Sequence, residues 1–66
     1  MGFKEARKAA GLTMAEAGKR LGVSDAAVAQ WESGATMPTA RRLVNVAALY
    51  GCTIDELIAS DEEGRH

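Results

Sequence analysis

The sequence predicts an all-α fold of several short helices, and three observations predict it. Alanine, the best helix former, supplies 13 of the 66 residues, while proline occurs once and β-branched residues are few. Gly11, Gly22, Gly34 and Gly51 cut the chain into segments too brief to be stable helices alone, so they must pack on one another. Twice, a threonine precedes a glutamate by three residues, the spacing of a reciprocal N-terminal cap: Thr13 with Glu16, and Thr53 with Glu56.

Taken in order, the first helix spans roughly residues 3–10, with Gly11 as a left-handed C-terminal cap. Thr13 caps a second helix that runs to about Leu21, where Gly22 ends it. Ser24 caps a third through Trp31 or Glu32, with Asp25 favourable at its positive end. Only two or three residues separate these two helices, which forces a sharp crossing with Val23 tucked into the bend. That connection is a helix-turn-helix. After an irregular loop from Ala35 to Pro38, Thr39 caps a fourth helix with Leu43, Val46, Ala47 and Tyr50 on one face, and Gly51 stops it. Thr53 caps a short fifth helix whose inner face is Ile54, Leu57 and Ile58. Residues 1–59 are thus expected to form one domain, and 60–66 an acidic, flexible tail without an apolar anchor.

A chain of 66 residues holds one small domain and excludes a two-domain enzyme. Of its 31 apolar residues only 18 are larger than alanine, so the core must be thin and closely packed. The expected core is Leu12, Leu21, Val23, Val28, Trp31, Leu43, Val46, Tyr50 and Leu57. One cysteine and one histidine form neither a disulfide nor a four-ligand zinc site, so no metal or other cofactor is expected. No apolar stretch approaches the ~20 residues that cross a bilayer, and a reduced, cytoplasmic setting is expected. Gly18 and Gly22 have membrane-dimer spacing, but Lys19 and Arg20 lie between them. No nucleophile, base and acid constellation, phosphate-binding glycine loop or carboxylate pair can be assembled, which argues against catalysis.

Net charge is −1, but its distribution is uneven. Residues 1–42 carry +3 from seven bases and four acids, and residues 43–66 carry −4 from one base and five acids. The two halves face different partners, or the acidic one faces solvent.

The run GLTMAEAGKRLGVSDAAVAQWESG, a following proline and LVNVAALYGCTIDELI resemble the lambda-repressor-like helix-turn-helix family, of the Cro, phage-repressor or XRE type. The resemblance covers roughly residues 3–58 and is strongest at Gly11-Leu12-Thr13, Leu21-Gly22-Val23-Ser24, Glu32 with Gly34, and Asp55-Glu56-Leu57-Ile58. It implies a compact five-helix DNA-binding domain whose third helix enters the major groove of double-stranded DNA while the second presents its N-terminus to a phosphate. On that third helix, Val28 and Trp31 are expected to face the core, leaving Asp25, Ala26, Ala29 and Gln30 towards base edges. Gln binds adenine in bidentate fashion, Asp accepts from the cytosine amino group, and Ala methyls touch thymine methyls. Gln30 is the leading candidate for direct readout.

Candidate phosphate-facing positions are Thr13, Met14, Lys19, Arg20, Ser24, Ser33, Arg41 and Arg42. Met14 stands where similar proteins often have Gln, so one anchor is lost, and Ala35, Thr36 and Met37 are neutral where bases are frequent. Asp25 would repel phosphate unless a base contact compensates. Modest, selective affinity with shallow salt dependence is therefore expected. The resemblance also places Arg7 and Glu32 where similar proteins have a partly buried ion pair between the first and third helices. Cys52 is expected to be an inert core thiol and His66 to be inert.

The leading expectation is a sequence-specific transcriptional regulator, a phage or prokaryotic repressor, acting as a homodimer on a two-fold site. Ile54 and Ile58 are candidate dimer contacts. The alternative is a protein-binding module of the same fold, an antitoxin-like or anti-repressor partner whose acidic stretch 55–63 docks on a basic surface.

Overall fold

The computed structural model describes residues 2–63, which form five helices and no strand among the described residues: α1 (Phe3–Ala9), α2 (Met14–Leu21), α3 (Asp25–Ser33), α4 (Ala40–Tyr50) and α5 (Ile54–Glu63). The all-α expectation holds, and the local signals that predicted it are visible as hydrogen bonds. The Thr13 hydroxyl accepts the Glu16 N–H at 3.1 Å, while Glu16 Oε1 accepts the Thr13 N–H at 2.9 Å. Thr53 and Glu56 repeat the arrangement at 3.1 and 2.9 Å. Ser24 accepts from the Ala27 N–H and Thr39 from the Arg42 N–H, so each cap satisfies an amide that the helix itself leaves open. Gly2 has no side chain to offer α1, and there only the Glu5 half of the box forms, accepting the Gly2 N–H at 3.2 Å.

Three boundaries differ from the sequence reading. Helix α1 stops at Ala9, with Ala10 as its right-handed C-cap and the left-handed Gly11 one residue beyond, α3 continues to Ser33, and α5 runs to Glu63, through the first part of the segment expected to be a flexible tail. Nothing between Ile54 and Glu63 breaks a helix, because proline and glycine are absent there. Residues 64–66, with the inert role expected of His66, lie outside the described residues.

One cluster holds the helices together. Phe3 and Ala6 of α1, Ala17 of α2, Val28 and Trp31 of α3, Val46, Ala47 and Tyr50 of α4, and Leu57 of α5 are all buried. The rings of Phe3 and Trp31 meet at 6.5 Å between centroids with a tilt of 44°, joining α1 to α3. The expected core needs correction at four positions: Leu12, Leu21, Val23 and Leu43 are half-buried and pack around the rim. Three of them sit at helix ends or turns, where the chain is already leaving the interior. Their central places are taken by Phe3 and by alanines whose small side chains let the helix axes approach. Cys52 is likewise half-buried rather than enclosed, and Ile54 and Ile58 flank the buried Leu57.

An ion pair crosses the core. Arg7 Nε donates to Glu32 Oε2 at 2.6 Å, Nη2 to Oε1 at 3.3 Å, and Nη1 to the Leu12 carbonyl at 2.7 Å. Both side chains are 9% exposed, and the hydrogen bond to Glu32 raises the Arg7 pKa above its ordinary value. Tyr50 packs nearby, and its buried hydroxyl has no hydrogen-bond partner among the described residues. Burial, followed by the charge of Glu32, pushes the Tyr50 pKa up.

Candidate nucleic-acid interface

The interface is built on the turn between α2 and α3. Gly22 adopts φ +75° and ψ 29°, a left-handed conformation that glycine enters without strain, and this reverses the chain after Leu21. The Gly22 and Val23 N–H groups both donate to the Gly18 carbonyl, the latter at 2.9 Å. Gly18 makes that approach possible, because a Cβ there would lie 2.7 Å from the Val23 carbonyl oxygen. A third element also grips the turn: Arg42 of α4 donates from Nη1 to the Leu21 carbonyl at 2.7 Å.

So held, α3 presents two unlike faces. Val28 and Trp31 are buried, with Ala27 and Glu32 half-buried beside them. On the opposite side, Asp25, Ala29 and Ser33 form one row at four-residue spacing and Ala26 and Gln30 a second, an arc of about 140°. All of these are exposed except Ala29, which is half-buried. Ser24 supplies the N-terminal cap, so the Asp25 carboxylate beside it is not consumed in capping. No residue of α3 is basic, and Glu32 is neutralised by Arg7.

At the start of α2, Thr13 and Glu16 occupy each other's backbone amides, which leaves the Met14 and Ala15 N–H groups without a partner among the described residues. An anion arriving there would meet those two amides, with the Glu16 carboxylate close by. Thr13, Met14, Lys19, Arg20, Ser24, Ser33 and Arg41 are exposed, as a phosphate contact requires. The Ser33 hydroxyl already donates to the Gln30 carbonyl at 3.1 Å.

Arg42 does not share that outward placement. It is half-buried and turned onto α2, where it satisfies a carboxyl-terminal carbonyl that the helix cannot. Its partner is 21 residues away, beyond any local pattern. No signal in the sequence joins the two positions.

The sequence comparison agrees with this architecture, since a helix-turn-helix family model matches residues 3–57, nearly the whole described chain. The chain belongs to the Cro and phage-repressor, or XRE-type, helix-turn-helix family. Comparisons with curated proteins and with solved structures return no match. Proteins of this XRE-type family are DNA-binding regulators and are generally not enzymes. Among the described residues, no helix is long and apolar enough to cross a membrane.

Proposed function

We propose that this chain is a sequence-specific transcriptional regulator that reads the major groove with the exposed arc of α3. The observation that carries the reading is the division of that helix: Val28 and Trp31 anchor it from behind while Asp25, Ala26 and Gln30 stand exposed and uncommitted. Gln30 is assigned to adenine, Asp25 to the cytosine amino group, and Ala26 and Ala29 to thymine methyls. Thr13, the Met14 and Ala15 amides, Lys19, Arg20, Ser24, Ser33 and Arg41 hold the phosphates on either side. A single module of this size touches few base pairs, which favours a homodimer on two half-sites about one helical turn apart, acting as a repressor by occupying the site.

Binding selection from random duplexes at low salt tests this. Wild type should enrich a two-fold sequence, Gln30→Ala should relax the preference at one position per half-site, and Ala26→Arg should redirect it. No enrichment would overturn the reading.

A second reading, a protein-binding module, is favoured by the acid at the head of α3 and by the exposed Asp55 and Glu56 on α5. It gains if no duplex is enriched and a basic polypeptide protects α5 instead.

A further inference from the structure

We propose that Arg42 is a positioning residue for DNA recognition: it sets the tilt of α3 by clamping the end of α2 and does not itself bind a phosphate. The inference rests on the regulator reading.

The angle at which α3 leaves α2 is decided over three residues, Gly22, Val23 and Ser24. Inside the motif, that angle is fixed by the two N–H groups that converge on the Gly18 carbonyl and by the close seat of Gly18 against Val23. Both contacts join residues within the motif itself. The Leu21 carbonyl, at the C-terminal and therefore electronegative end of α2, lacks an intrahelical donor. Arg42 reaches it from α4 at 2.7 Å, and the Arg42 N–H is in turn fixed by the Thr39 cap. The clamp therefore ties the turn to a helix outside the motif, and a cation at that end adds a favourable charge-dipole interaction. Its neighbour Arg41 is exposed and its side chain makes no hydrogen bond to another described residue, so the two arginines divide the work: Arg41 outward to DNA, Arg42 inward to the turn.

Two variants that each remove one positive charge separate these roles. The sequence enriched by wild type and an unrelated duplex are titrated with wild type, Arg41→Met and Arg42→Met over a range of salt. Methionine retains much of the aliphatic stem, and Arg42→Gln serves should Arg42→Met fail to fold. Arg41→Met should weaken both duplexes alike and reduce the salt slope by about 0.9. Arg42→Met should lower the ratio between the two duplexes roughly tenfold, the scale of one misaligned base contact, with the salt slope unchanged. It should also shift the backbone resonances of Leu21 to Ser24, which Arg41→Met should leave in place.

An unchanged ratio, or uniform weakening with a reduced slope, overturns the inference, as do unmoved turn resonances. If wild type prefers no duplex, the regulator reading fails and the inference falls with it. If wild type discriminates and Arg42→Met discriminates equally, only the inference falls.

Discussion

Gly18 lies so close to Val23 that a methyl group on its Cα would sit 2.7 Å from the Val23 carbonyl oxygen and 3.2 Å from the Ser24 carbonyl carbon. Both neighbours are backbone of the recognition turn, so neither yields by rotating a side chain. Alanine in place of glycine ordinarily strengthens a helix interior by about 1 kcal/mol. Here Gly18→Ala is expected to destabilise the domain by about 1–3 kcal/mol, as forced overpacking does, and to displace the turn. Urea unfolding measures the first effect and backbone resonances of Val23 and Ser24 the second. A variant more stable than wild type would refute the close seat.

Arg7 and Glu32 are each worth more as a pair than alone. Arg7→Met or Glu32→Leu singly leaves one buried charge without its partner and should cost about 3–5 kcal/mol, while the double variant should recover much of that loss. Urea midpoints for the three variants form the cycle. Additive losses would mean that the two side chains act independently.

The Tyr50 hydroxyl is buried without a hydrogen-bond partner among the described residues, a placement that normally costs stability. Tyr50→Phe removes the oxygen and keeps the ring, so it should be neutral or stabilise by up to about 1 kcal/mol. A thermal melt showing a clear loss would place a partner on that hydroxyl.

Acid should loosen the start of α2 in a defined direction. The Glu16 carboxylate is held below its ordinary value of 4.5, chiefly by the Thr13 N–H and next by the Thr13 hydroxyl. The unfolded chain therefore takes up this proton at a higher pH than the native one. The resulting stabilisation is complete above the unfolded value and disappears as pH falls through the depressed native value. Glu16→Gln should lower the urea midpoint at neutral pH and flatten its decline on the acid side. Parallel pH profiles for the two proteins would dismiss the linkage.

The parts of this fold that were legible in the sequence are those decided within a few residues. Thr13 with Glu16, Ser24, Thr39 and Thr53 with Glu56 announce helix starts because a cap needs only its own first turn. Gly11, Gly22, Gly34 and Gly51 mark ends because all four adopt positive φ. Burial was harder to read. Ala6 and Ala17 are fully enclosed while Leu12 and Leu21 stay half-buried, since packing depends on how closely two axes approach and not on hydrophobicity alone. At the interface, the outward arc of α3 follows from helical period once Val28 and Trp31 are set inward. The Arg42 clamp does not follow from period, because α2 and α4 meet only after the chain has folded.

The central claim, that the outer arc of α3 faces a duplex, is tested most directly by following Gln30. Isotope-labelled protein is titrated with the enriched duplex while the Gln30 side-chain amide and all backbone amides are monitored. The account predicts that the Gln30 amide, the α3 positions from Asp25 to Ala29 and the Met14 and Ala15 amides shift together. Perturbations concentrated on α5, with Gln30 unmoved, would contradict it.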